Sequence, residues 1–114
     1  MSVTVSRFLD IANAHGVKVF SVIDQREEAL SVGLELREMT LVIFGNPRAG
    51  TPVMAAEPLA ALDLPLKLLI WADADETKVS YVSPSALAAR YNLNADLARH
   101  LAAIDVLSEE LVAP

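Results

Sequence analysis

The residues best placed to do chemistry lie in one glycine- and proline-rich segment, Phe44–Met54, with the sequence FGNPRAGTPVM. An apolar run precedes it, and a Gly-Asn-Pro word ends a strand and favours a helix beginning at the proline. Backbone amides at the start of such a helix, together with Arg48 and Thr51, would hold a carboxylate or a phosphate. The segment therefore predicts a site for a small anionic ligand.

The same segment also has a purely structural interpretation. Asn46 is a good helix cap, and the two glycines relieve strain in a tight turn. The Gly-Lys-Ser/Thr ending of a phosphate-binding P-loop is absent. The residues alone leave the turn and the ligand site open as alternatives.

Two further residues are candidates for the walls of such a site. Asp24 has capping-box spacing with Glu27, so it either caps a helix or acts as a general base near the turn. Tyr81, like Trp71 on the neighbouring strand of a predicted hairpin, packs in a core or interface or forms a ligand platform. The candidate ligand-binding set is Asp24, Asn46, Arg48, Thr51 and Tyr81.

Metal, cofactor and nucleophile motifs are absent from the sequence. The acidic cluster Asp73–Glu76 lacks the glycine and the distal glutamate of a calcium loop, which favours a solvated turn. His15 and His100 each lack a second histidine at zinc-ligand spacing. Lys67, inside an apolar strand, either points to solvent or reaches a carboxylate in a pocket. We therefore predict no metal and no cofactor.

Composition limits the classes of partner. The chain has 114 residues, a net charge of −6 and no cysteine, and its basic residues are not clustered. Nucleic acid and anionic membrane surfaces are therefore not expected as partners. A hydrophobic fraction of 54% is high for so short a chain, which favours a homo-oligomer with an apolar interface. Without a transmembrane run or a signal peptide, the expected location is the cytoplasm.

The elements that must position these residues form one domain over residues 1–114. The patterns predict a helix over Val5–His15, a buried strand at Leu41–Phe44, and a hairpin of Leu66–Ala72 with Lys78–Val82. A last helix, capped by Asn94, carries one stripe of leucines and isoleucine. The fold class is α+β, with a mostly antiparallel sheet and helices packed on one face.

Several short sequence motifs of the chain resemble those of the DUF302 family (domain of unknown function 302). They are LVIFGNPRAGTPVM at 41–54, LPLKLLIW at 64–71, SYVSP at 80–84, FSVID at 20–24 and LAARY at 87–91. The resemblance spans about residues 5–110. It implies the order β-α-β(4)-α with a long C-terminal helix and a tendency to homodimerise, and it implies no settled activity.

The chain departs from the family's pattern in three places. Gln25 and Tyr91 stand where family members often have histidine. These departures weaken any mechanism that uses those histidines as a base or as metal ligands. The family's first strand usually precedes the first helix, whereas only about four residues are present here for it. A short or missing edge strand would alter pairing between subunits.

Three hypotheses about function follow. The favoured one is a homodimeric module that binds a small ligand or a partner at Asn46, Arg48 and Thr51. The second is an enzyme with Asp24 as general acid or base and Arg48 holding an anionic substrate, which requires a cleft where both converge. The third is a structural dimer subunit, which predicts no pocket and a large apolar interface on the last helix or the sheet.

Overall fold

The computed structural model describes residues 1–114, and its centre is a four-stranded antiparallel sheet in the order β1-β2-β3-β4. The strands are β1 (Lys18–Asp24), β2 (Met39–Gly45), β3 (Leu66–Asp73) and β4 (Glu76–Ser80). The helices are α1 (Ser2–Ala14), α2 (Gln25–Ser31), α3 (Pro47–Ala56), α4 (Pro84–Tyr91), α5 (Ala95–Arg99) and α6 (Ala103–Val112), with a 3₁₀ turn at Pro58–Leu62. The predicted α+β class is confirmed.

The two faces of the sheet differ in burial. Side chains alternate between faces along a strand, and the even-numbered positions of β2 and β3 form the inner face. The buried inner-face residues are Thr40, Val42, Phe44, Leu66, Leu68 and Ile70. Helices complete the core with Phe8 of α1, Leu87 of α4 and Leu107 of α6, each nearly fully buried. The predicted packing of helices on one face is therefore confirmed.

The two ends of the sheet are called the glycine end and the aspartate end, after the residue at which a strand passes into a helix. At the glycine end, Gly45 of β2 lies opposite Lys18, and Leu66 begins β3. At the aspartate end, Asp24 of β1 lies opposite Thr40. Strand β1 has seven residues, and the six steps between its ends, at about 3.3 Å each, place the two ends of the sheet about 20 Å apart.

The C-terminal helical region differs from the predicted single helix. Residues 100–102 form a turn between α5 and α6, with i−3 bonds such as His100 N–H to the Leu97 carbonyl. The sequence there holds neither glycine nor proline, so local propensity gave no sign of the break. Leu101, at 2% exposure, is packed into the core at this turn, which indicates that tertiary packing sets the break.

The N-terminal region also bears on the family pattern. Helix α1 begins at Ser2, earlier than the predicted Val5, so residues 2–4, considered for a first strand, are helical. Strand β1 lies at one edge of the sheet. A bulge between Val19 and Ser21 interrupts its pairing with β2, which limits the pairing of this edge with another strand.

Candidate functional site

A cavity of about 310 Å³ opens at the glycine end of the sheet, beside the segment singled out from the sequence. Its floor is apolar, because Phe44, Leu66 and Leu101 line it and are almost fully buried. Cavities of this size and character are typical of small-molecule sites. The glycine- and proline-rich segment therefore borders a real hollow in the fold.

Three elements build the walls of this cavity. Strand β2 ends at Gly45, and α3 continues from it, contributing Ala49 and Met54. The bulge in β1 presents Phe20, whose ring lies 3.9 Å from the position a Cβ on Gly45 would take. The turn between α5 and α6 contributes His100 together with the buried Leu101.

The start of α3 is capped from within the chain. The Asn46 side-chain Oδ1 accepts from the Arg48 N–H at 2.9 Å. The Asn46 carbonyl accepts from the N–H groups of Ala49 and Gly50, both at 2.9 Å. Because Pro47 has no N–H, every amide of the first turn is engaged. The amides on which an anion site would depend are therefore already used.

The structure brings together only part of the predicted set. Asn46 and Thr51 both line the cavity. Arg48 lies on the same helix but is exposed and outside the cavity wall. The cavity thus keeps two polar candidates and loses the one cation that was expected to hold an anion.

Asp24 lies at the other end of the sheet. Its Oδ1 accepts from the Glu27 N–H at 3.0 Å, which confirms the helix-cap interpretation. Arg48 follows Gly45 at the glycine end, so about 20 Å of strand β1 separates the two regions. The cleft required by the acid–base hypothesis is not formed.

Tyr81 and Trp71, on the hairpin and its continuation, each make a side-chain hydrogen bond within the protein. Strand β4 ends at Ser80, one residue before Tyr81, whose hydroxyl donates to Asp105 Oδ1 on α6 at 2.7 Å. That hydrogen bond to a carboxylate, with partial burial, raises the pKa of Tyr81 above its usual value. Trp71 donates from Nε1 to the Ser80 hydroxyl at 2.9 Å on the outer face. Neither residue lines the cavity.

The remaining polar candidates lie on the surface. Lys67 is exposed on the outer face, as one of its two interpretations predicted. Asp73 forms ion pairs with Lys78 at 2.6 Å and Arg37 at 3.7 Å, and the hydrogen bond from Lys78 lowers the pKa of Asp73. His15 Nε2 lies 2.6 Å from Glu110 Oε2 and joins α1 to α6. These residues therefore do not come together in one candidate site.

Asp63 forms a side-chain cluster next to the cavity wall at Leu64. The Tyr91 hydroxyl donates to Asp63 Oδ2, and Arg90 Nη1 donates to the same oxygen at 2.8 Å. The bond from Tyr91, and then the one from Arg90, lower the pKa of Asp63, while the pKa of Tyr91 is raised. Tyr91 therefore clasps α4 to the loop that leads into β3.

This clasp also bears on the two substituted family positions. Tyr91 contacts Asp63, three residues before β3 begins at the glycine end. Gln25 begins α2 at the aspartate end. The two positions at which the resemblance implies histidine thus lie at opposite ends of this sheet and do not share a site.

Sequence reasoning missed several residues of the cavity. Phe20 was part of a family word, but the bulge that turns it to the cavity had no signal in the sequence. His100 was considered only as a zinc ligand. Its position directly before Leu101, in the leucine stripe of the last helix, placed it near the core boundary and was the one available sign.

Comparison with known proteins identifies the family. The chain matches the domain of unknown function DUF302 over residues 1–111. The chain belongs to the DUF302 family. Its fold is similar to the crystal structure of an uncharacterized conserved DUF302 protein from Bacillus stearothermophilus, with a TM-score of 0.83 and 22% identity. That similarity covers 98% of this chain and 88% of the other, and at this identity it shows the fold alone.

The DUF302 chain is also similar to part of two named proteins. It is 35% identical over 91 residues to the fluoride-specific ion channel FluC 1 of Brucella suis biovar 1 (strain 1330). The match covers 79% of this chain and 36% of that protein, and the FluC 1 of Brucella abortus biovar 1 (strain 9-941) matches equally, over 34% of its length. The chain thus spans about a third of the length of these relatives. None of its own helices is long and apolar enough to cross a membrane.

Proposed function

We propose that this DUF302 protein is a homodimeric module that binds a small, mostly apolar ligand in the glycine-end cavity. The observation that carries the proposal is the hollow of about 310 Å³ over the buried side chains of Phe44, Leu66 and Leu101. If each non-hydrogen atom takes about the 30 Å³ of a water molecule, the hollow holds roughly ten of them.

The cytoplasmic location stays a prediction.

The cavity also weighs against the alternatives. A structural subunit without a ligand was expected to have no pocket, and this protein has one. The acid–base enzyme hypothesis required Asp24 and Arg48 to converge in one cleft, whereas Asp24 lies at the opposite end of the sheet from Arg48. Ligand binding is the function that uses the hollow as it stands.

Filling the cavity tests this proposal. Ala49 faces the cavity from α3, so Ala49→Trp should occupy the space and abolish binding. The probe is octanoate, a molecule of the right size, titrated at millimolar concentration and followed by ¹H–¹⁵N NMR. We expect a Kd on the order of 1 mM or tighter for the unmodified protein, given the affinity such small ligands reach.

The matched control is Leu30→Trp, which adds the same side chain in the groove at the aspartate end. It should leave octanoate binding unchanged. If octanoate perturbs no residue around the cavity, or if both tryptophan variants bind equally well, the proposed site is wrong.

We propose that the dimer forms through the outer face of the sheet. Ile23, Leu41 and Leu69 lie in one row of that face, Ile43 lies in the next row beside Lys67, and none of the four apolar residues belongs to the buried core. Trp71 lies in the row on the other side, opposite Lys78. A sheet face that carries such an apolar row is stabilised when a second sheet packs against it.

Light scattering over a dilution series of the protein tests whether it forms a dimer. Leu41→Glu should give a monomer at all concentrations, because it places a carboxylate in the middle of the apolar row. Val106→Glu on α6, where the side chain is 53% exposed, should leave a dimer intact. A monomeric unmodified protein, or dissociation by the α6 variant instead, would refute the outer-face interface.

A second candidate function comes from the fluoride-channel relatives. Over about a third of their length these Brucella channels are similar to this chain. We propose, as the alternative, that the domain associates with a fluoride channel and modulates it. Purified channel in liposomes would show altered fluoride efflux when this protein is added, and unchanged efflux without co-purification would dismiss the idea.

A further inference from the structure

The glycine-end cavity has an ordered polarity from floor to mouth. Its floor is made by the buried side chains of Phe44, Leu66 and Leu101. Its exposed rim carries Asn46, Thr51 and His100. A ligand that matched this order would have an apolar tail at the floor and one polar headgroup at the mouth.

The polar groups at the mouth can donate hydrogen bonds. Asn46 uses its Oδ1 to cap α3, so its side-chain amide N–H groups are left to donate. The Thr51 hydroxyl and the His100 ring make no side-chain hydrogen bond within the protein. Three donor groups therefore border the opening.

Carboxylate side chains are absent from the lining. The chain holds 15 aspartates and glutamates, yet none is among the 16 residues around this cavity. The lining holds no lysine or arginine either, so neither charge meets an ion-pair partner there, and the preference for a headgroup depends on the donors of the rim, which favour an acceptor. The charge pattern of the whole protein, which is acidic, does not extend into the site.

From this arrangement we propose that the cavity selects small amphipathic carboxylic acids, with the aliphatic tail on the Phe44 floor and the carboxylate at Asn46, Thr51 and His100. This inference rests on the proposed function, because it requires that the cavity binds a ligand. It assigns the negative charge to the mouth of an apolar cavity instead of to the amides of α3.

The experiment compares octanoate, octanol and octylamine, which share a tail and differ in headgroup, by NMR titration of the unmodified protein. Octanoate should bind about tenfold more tightly than octylamine, with octanol between them. Equal binding of all three, lost in Ala49→Trp, would overturn the headgroup assignment and leave the proposed cavity function standing. Binding of none would overturn both.

Variants at the rim locate the headgroup. Asn46→Asp keeps an oxygen to cap α3 but replaces the amide donor by a negative charge, so it should weaken octanoate at least fivefold and strengthen octylamine. The matched control is Asn94→Asp, which makes the same change at the cap of α5, outside the cavity. His100→Ala provides a second rim variant that does not touch a helix cap, and it should also reduce the preference for octanoate. If the octanoate-to-octylamine ratio is unchanged in both rim variants, the headgroup does not lie there.

Discussion

Two turns of this DUF302 protein have the same local design and different surroundings. Asp24 joins β1 to α2, and Asn46 joins β2 to α3, each in an extended backbone conformation. Each uses Oδ1 to accept from a first-turn N–H, at 3.0 Å for Asp24 and 2.9 Å for Asn46. Considered only as strand-to-helix turns, they are near equivalents.

The difference is in what packs against each turn. At the glycine end, the turn between α5 and α6 closes over the sheet and leaves an apolar hollow. At the aspartate end, Val22 and Leu30 are 44% and 49% exposed, and charged side chains rim the groove. A polar cap therefore becomes part of a candidate site only where other elements supply a buried apolar floor beside it.

The two ends of the sheet should differ most in how much their apolar side chains contribute to stability. Leu101→Ala should lower the free energy of unfolding by about 2–5 kcal/mol, because it removes a buried side chain from the cavity floor. The identical change Leu30→Ala at the aspartate end should cost less than about 1 kcal/mol, since that side chain is half exposed. Urea unfolding measures both, and equal losses would mean that the two ends are equally packed.

The two caps provide the next test. Asn46→Ala and Asp24→Ala should each lower the free energy of unfolding by about 0.5–2 kcal/mol, because each removes a capping oxygen. Only the Asn46 variant should also weaken octanoate, as measured by NMR titration. Weakened octanoate binding in the Asp24 variant would show that the aspartate end takes part in the site.

The clasp beside the cavity predicts a pH-dependent effect. The bonds from Tyr91 and Arg90 lower the pKa of Asp63, so their stabilisation is complete above its ordinary value of 3.8 and is lost as pH falls through the lowered value. Tyr91→Phe should therefore lower the melting temperature at pH 7, and the gap to the unmodified protein should narrow below about pH 4.

Circular dichroism at pH 7 and pH 3 measures this effect. Asp63→Asn is the control, because without the carboxylate the acid-dependent part of the gap should disappear. A gap in the melting temperature that stays constant between the two pH values would show that Tyr91 stabilises the fold by packing alone.

The smallest expected effect concerns Arg48. Its side chain is exposed and does not line the cavity, so Arg48→Ala should change the Kd for octanoate by less than about twofold. A larger loss of octanoate affinity in the titration would show that the guanidinium takes part in the site. It would support the anion hypothesis drawn from the sequence.

Local patterns made much of the fold predictable. The caps at Asp24, Asn46 and Asn94, the hairpin of β3 and β4, and the helices that follow the caps depend on neighbouring residues. Membership in DUF302 was also predicted from short sequence motifs, and the match over residues 1–111 confirms it. For the candidate site, the same local signals identified Asn46 and Thr51.

The rest of the site depends on contacts between distant parts of the chain. The bulge that turns Phe20 toward Gly45, and the break that brings His100 and Leu101 to the same cavity, have no local signal. Nothing in the sequence indicated that Asp24 and Arg48 lie far apart, because the register of the sheet determines their separation. Capping and strand formation are short-range and are written in the sequence, whereas a cavity is the space left by side chains that meet only on folding.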